Sequence, residues 1–140
     1  MAKKVDGKVD PKLVDEITSQ MESNLISIGD QCQRHGVNLY IDAEYSHLQP
    51  AVRLLSLSLM ARYNRPGSKS IVFNTYQCYL KASLAHLKND LELAQAMSFI
   101  LGCKLVRGAY LNSERKRYAQ DTNGFPIHAD YEQTNSSYNK

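Results

Sequence analysis

The segment Ile71-Val72-Phe73-Asn74-Thr75-Tyr76 (71–76) is the most informative about the fold, because it opens as a short, apolar, buried strand. A loop over 64–70 precedes it, since Pro66 and Gly67 interrupt any regular pattern there. A long helical region follows and ends by Gly102, with a break predicted at Asn89-Asp90, where Asp90 can cap the second segment. A strand enclosed by helical regions is typical of α/β proteins.

Two further strands are predicted along the chain, one before this strand and one after it. Apolar and polar residues alternate over 37–41, and residues 104–107 are predicted to form a third short strand. Helices are predicted from Val14 to a stop at Gly36, from Pro50 onward, over 114–120 and from Tyr131. The alternation of helix and strand predicts a parallel sheet of about three strands with flanking helices.

Local details of the helices can also be predicted. Val52, Leu55 and Leu59 mark the buried face of the second helix, which Leu54 and Leu57 widen. Asn112 or Ser113 is expected to cap the helix over 114–120, and the segment from Asp121 is expected to be irregular.

The composition favours an ordinary globular domain. The 140 residues are 43% hydrophobic and 22% charged, and the net charge is +3, which argues against disorder and against nucleic-acid binding. No targeting segment or transmembrane stretch is visible. Three widely spaced cysteines favour a reducing compartment, and Cys32 with His35 lacks the second pair that a metal site needs.

Polar residues at the predicted strand ends indicate a ligand site. Asp42, Asn74 and Lys104 are separated by 32 and 30 residues, about one βαβ unit each. Ligands of parallel α/β folds bind at the carboxyl ends of strands, although such residues can also cap strands or helices. An acid, an amide and an ammonium group suit a ligand with both donors and acceptors. Gly108-Ala109 leaves room for a planar group, and Tyr110 supplies an aromatic wall.

Three segments together resemble the proline dehydrogenase family. They are Tyr-Ile-Asp-Ala-Glu (40–44), Phe-Asn-Thr-Tyr-Gln-Cys-Tyr-Leu-Lys (73–81) and Lys-Leu-Val-Arg-Gly-Ala-Tyr-Leu (104–111). The resemblance extends from about residue 14 to the end. It implies part of a (β/α)8 TIM-type barrel that binds FAD, oxidises L-proline to Δ1-pyrroline-5-carboxylate and passes electrons to a quinone. It also implies a mitochondrial location, in the matrix or at the inner membrane.

The resemblance further implies the role of individual residues, with no metal and no nucleic acid among the ligands. Asp42 and Lys104 are expected to be catalytic, and Tyr110 is expected to line the substrate pocket. The residues expected to bind the cofactor are Ala43, Asn74, Lys104, Arg107, Gly108 and Ala109.

Residues 1–13 are expected to be a flexible lead-in, and residues 14–140 an incomplete central part of the barrel. The family also needs a lysine on an earlier strand and two arginines on a last helix, which this sequence does not show. A fragment with doubtful activity of its own is therefore expected. A hydroxyproline dehydrogenase and a non-catalytic, truncated paralogue that binds a partner are the alternatives.

Overall fold

The computed structural model describes residues 11–119 and 126–140. Helices and strands alternate along the chain as the sequence predicts. The elements are α1 (Pro11–His35), β1 (Leu39–Ile41), α2 (Gln49–Tyr63), β2 (Val72–Gln77), α3 (Ser83–Ala96), β3 (Cys103–Val106), α4 (Leu111–Arg117) and α5 (Tyr131–Tyr138).

The strands form one parallel sheet in the order β1-β2-β3. Leu39 pairs with Val72 at one end of the first ladder, and Gln77 pairs with Val106 at the far end of the second. The central strand is the most buried, as expected for a strand with neighbours on both sides. The predicted α/β fold, a partial barrel of three parallel strands with flanking helices, is confirmed.

The hydrophobic core lies between the sheet and α2. Apolar side chains from α2, the start of β2, α3 and the segment after α3 meet there. The buried members are Leu57, Leu59, Met60, Tyr63, Ile71, Val72, Ala94 and Phe99.

A buried asparagine fixes the loop that enters β2. The Asn64 amide donates to the carbonyls of Val72 and Ile100 at 2.8 and 3.0 Å, and its oxygen accepts from the amides of Ile71 and Val72 at 2.9 and 3.0 Å. Every hydrogen-bonding direction of the side chain is used, which offsets the cost of burying an amide. This network sets where β2 begins.

Several local predictions were wrong. Leu54 is 63% exposed and does not widen the buried face of α2. Helix α3 runs through Asn89-Asp90 without a break, because Asp90 is buried in side-chain contacts instead of capping. Helix α4 begins at Leu111, and neither Asn112 nor Ser113 caps it. The residues predicted to be irregular over 121–125 lie outside the described ranges.

The first helix was predicted more successfully. It ends at His35, directly before Gly36, whose φ of +65° is the left-handed conformation of a helix stop. It begins at Pro11, so residues 11–13 of the expected lead-in are helical, whereas residues 1–10 are not described. In the described ranges no helix combines the length and apolarity needed to cross a membrane.

Candidate active site

The two faces of β2 have different roles. Val72, Asn74 and Tyr76 point toward the helices, where the Asn74 oxygen accepts a hydrogen bond from Ser56 of α2 at 3.2 Å. Thr75 and Gln77 point to the opposite face, where both line a cleft. Because side chains alternate along a strand, adjacent residues serve different surfaces.

This alternation corrects the predicted row of strand-end residues. Asn74 and Lys104 lie inside β2 and β3, not at their ends, and Asn74 pairs with Cys103. Asp42 directly follows Ile41, which pairs with Asn74, and Thr75 pairs with Lys104. The row that crosses the sheet is therefore Asp42, Thr75 and Lys104. The cofactor role of Asn74 stays a prediction that rests on the family resemblance alone.

A cleft of about 420 Å³ lies over this row. It opens at the carboxyl edge of the sheet, where the loops after β1 and β3 meet. All the predicted site residues except Asn74 line it. The lining residues are Asp42, Ala43, Thr75, Gln77, Lys104, Val106, Arg107, Gly108, Ala109 and Tyr110.

An ion pair crosses the floor of the cleft. The Lys104 ammonium group donates to the Asp42 carboxylate from the opposite edge strand. The Asp42 side chain is 81% exposed and that of Lys104 36% exposed, so water screens the pair and it stabilises the fold little. Because both side chains are at least partly exposed, a ligand can reach both charges. On the strand between them, the Thr75 hydroxyl is buried without a hydrogen-bond partner among the described residues.

Gln77 joins the loops on both sides of the cleft. Its amide nitrogen donates to the Glu44 carbonyl at 2.8 Å, and its oxygen accepts from the Ala109 amide at 3.1 Å. Neither Gln77 nor Thr75 was among the site residues predicted from the sequence. The signal was present, since both residues follow Phe73 at steps of two along a strand.

Gly108 lies against a neighbouring side chain, that of Tyr79. Its φ is +138°, and a Cβ atom there would lie 1.7 Å from Cδ1 of Tyr79. The missing side chain thus makes room for the Tyr79 ring, and the room that it leaves for a planar ligand stays a prediction. Tyr79 is fully buried, and burial raises the pKa of its hydroxyl.

Tyr110 forms one wall of the cleft against Tyr45. Their ring centroids are 4.4 Å apart. Desolvation, together with the nearby Glu44 carboxylate, raises the pKa of the Tyr110 hydroxyl, so this group remains a neutral donor at physiological pH.

A buried carboxylate holds this wall in place. Glu114 of α4 is fully buried, and it accepts from the Ser46 amide at 2.6 Å and the Ser46 hydroxyl at 3.0 Å. Ser46 adjoins Tyr45, and Glu114 lies one helical turn after Tyr110. The contact therefore fixes the two loops whose tyrosines meet.

The guanidinium group of Arg107 lies at the opposite side of the cleft, against α5. Its Nε and Nη2 donate to the Asn135 oxygen at 3.1 and 2.6 Å. Its Cζ lies 4.2 Å from the ring centroid of Tyr138. Within the described ranges, no group of three or more His, Cys, Asp or Glu side chains could hold a metal ion.

These features define an α/β protein with a polar ligand cleft at the carboxyl ends of parallel strands, the arrangement of (β/α)8 barrels. The sequence profile of the family described as proline dehydrogenase matches residues 2–140. The chain belongs to the proline dehydrogenase family.

Several proteins are similar to this chain in sequence. Proline dehydrogenase 1, mitochondrial, of Homo sapiens is 44% identical over 105 residues, which are 75% of this chain and 17% of the human protein. Hydroxyproline dehydrogenase of Xenopus laevis is 40% identical over 116 residues, which are 83% of this chain and 24% of the relative. The chain thus spans a quarter or less of the length of these two relatives.

A solved structure supports the fold independently. Proline utilization A (PutA) from Bdellovibrio bacteriovorus, inactivated by N-propargylglycine, superposes with a TM-score of 0.76 at 20% identity. The match covers 89% of this chain and 13% of that one. At this identity the likeness shows a shared fold.

Proposed function

We propose that this chain forms part of the active site of an FAD-dependent oxidoreductase that converts L-proline to Δ1-pyrroline-5-carboxylate, the first step of proline catabolism. One observation carries the proposal. The Asp42–Lys104 ion pair and the segment 107–110 line a single cleft at the carboxyl edge of the sheet, in a chain of the proline dehydrogenase family.

The residues of the cleft fit a flavin. The volume of the cleft lies in the range of small-molecule sites. Its lining combines two cations with a buried hydroxyl group that has no hydrogen-bond partner in the described ranges. Such groups suit the carbonyl and nitrogen acceptors along one edge of an isoalloxazine ring. Ala43, Lys104, Arg107, Gly108 and Ala109 would hold the cofactor.

The reaction removes a hydride from the ring carbon C5 of proline and a proton from its nitrogen, which leaves a C=N double bond. Bound FAD supplies the two-electron acceptor. Lys104 provides positive charge where negative charge grows during the transfer, and this stabilises the transition state. Asp42, on the far side of Thr75, can pair with the substrate ammonium group and receive its proton.

Tyr110 is proposed to line the substrate pocket. Its ring is held by Tyr45, and its raised pKa keeps the hydroxyl protonated. It can therefore pack against the pyrrolidine ring and donate a hydrogen bond without adding negative charge beside Asp42.

The resemblance adds partners that the cleft does not reveal. A quinone is proposed as the electron acceptor, and the mitochondrion, at the matrix side of the inner membrane, as the location. Since the chain spans a quarter or less of the two relatives described above, the complete activity is proposed to need sequence like theirs outside this segment.

The test uses the intact natural gene product, purified with added FAD. Visible flavin bands and proline-dependent reduction of a dye are expected. Lys104→Met should lower kcat about 100-fold, the cost of removing one preorganised charge. Lys69→Met is the matched control, because Lys69 bonds the Gly36 carbonyl and does not line the cleft. Absence of both flavin bands and dye reduction would refute the proposal and favour a non-catalytic interaction protein.

4-Hydroxyproline is the second candidate substrate, since relatives named hydroxyproline dehydrogenase match as well as proline dehydrogenases do. The ratio of kcat/KM for L-proline and 4-hydroxyproline decides between them. A value above one supports proline, and a value well below one assigns the chain to the alternative.

A further inference from the structure

Arg107 directly follows β3 and lies at the rim of the cleft. Its side chain contacts α5 on the side away from the cleft. Two of its nitrogen atoms donate to the Asn135 oxygen, and its flat face lies over the Tyr138 ring. Both contacts restrain a side chain that would otherwise sample many rotamers. The third nitrogen, Nη1, bonds to none of the residues at 11–119 or 126–140.

The charge of Arg107 is held without being neutralised. The groups that contact it are the Asn135 amide, the Tyr138 ring and, at a longer distance, the Tyr131 ring. All are uncharged, and no carboxylate of the described residues forms an ion pair with it. By contrast, the cleft's other cation, Lys104, pairs with Asp42. An arginine fixed by an amide and an aromatic ring keeps its full charge for a ligand, which is electrostatic preorganisation.

We infer that Asn135 and Tyr138 are positioning residues, which fix Arg107 so that its free edge meets an electron-rich group of bound FAD. Helix α5 thereby becomes part of the cofactor site although neither residue lines the cleft. The inference rests on the proposed function, because it assigns the ligand of Arg107.

Thermodynamic linkage between FAD binding and the contact of Arg107 with α5 predicts an effect that a purely structural contact would not show. If the contact with α5 strengthens FAD binding by some factor, FAD must stabilise that contact by the same factor. FAD should therefore slow hydrogen exchange of the α5 amides over 134–138. Arg107→Met should abolish this protection.

The test measures the Kd of FAD by quenching of flavin fluorescence in the intact gene product. Asn135→Leu and Tyr138→Leu should each raise Kd about fivefold or more, and much less when Arg107→Met is already present. Tyr138→Phe keeps the ring and should bind normally. Tyr131→Leu is the matched control, because that ring is 65% exposed and lies 5.9 Å from Cζ of Arg107.

Asn135→Asp separates charge from geometry. It keeps the acceptor and strengthens the hold on Arg107, yet it neutralises the guanidinium group, so weaker FAD binding is expected. If Asn135→Asp binds FAD as well as the wild type, and both leucine variants match Tyr131→Leu, the inference is wrong. Wild-type protein that binds no FAD at all would instead refute the proposed function.

Discussion

Asp90→Ala should be the most damaging single truncation among the polar contacts of this fold. Asp90 is fully buried in α3, where its two oxygens accept from Arg53 Nε at 2.9 and 2.8 Å. The Tyr76 hydroxyl donates to the same carboxylate at 2.7 Å. One side chain thus joins α2, β2 and α3, and it lies directly behind the strand that carries Thr75 and Gln77.

The expected loss follows from the burial of each partner. Removing one member of a buried pair costs about 3–5 kcal/mol, because the other charge is left without a partner. The Arg53 side chain is 24% exposed and can partly regain water, which favours the lower end of that range. The unpaired Tyr76 hydroxyl adds about 1 kcal/mol. A total of about 4 kcal/mol is a large part of the usual stability of about 5–15 kcal/mol.

The free energy of unfolding is measured from urea denaturation followed by circular dichroism. Tyr76→Phe should cost about 1 kcal/mol, since the carboxylate keeps its arginine. Glu92→Ala is the matched control, because this exposed residue lies on the same helix, and its effect should stay within about 0.5 kcal/mol.

A double variant tests the mechanism. Adding Arg53→Met to Asp90→Ala should recover stability, because no unpaired charge then remains. The reasoning is refuted if Asp90→Ala costs less than about 1 kcal/mol, or if the double variant is the less stable of the two.

Three further outcomes are expected. Glu114→Ala leaves the Ser46 amide without its acceptor, so KM for proline should rise about tenfold while FAD affinity stays unchanged; an unchanged KM would contradict the proposed wall. Gly108→Ala should cost about 2 kcal/mol or more in urea denaturation, because the new methyl group meets the Tyr79 ring, and Tyr79→Ala should relieve the clash. The pKa values of Tyr76 and Tyr79 are raised in the folded protein, so their contribution to the free energy of unfolding is fully present below pH about 10 and is lost as the pH rises further. Tyr76→Phe should reduce this loss.

The order of elements was predictable because it depends on local patterns. The alternation over 37–41 and the apolar start at Ile71 are periodic features, and Pro50 and Gly36 mark helix ends through backbone restrictions of their own. The predicted helix cap at Asp90 failed for a different reason. Its carboxylate satisfies Arg53 and Tyr76, which are distant in sequence, and this contact outweighs local capping.

The residues of the site likewise divide into those that local patterns predict and those that depend on contacts between distant segments. The family, the parallel α/β order and most residues of the cleft could be predicted from the sequence, because motifs and strand periods are local properties. The strand register could not be predicted in this way, and it is the register that places Thr75, and not Asn74, between Asp42 and Lys104. The contact of α5 with Arg107 could not be predicted either. Both depend on contacts between segments about 30 residues apart, and a shift of one residue along a strand reverses the face that each side chain meets.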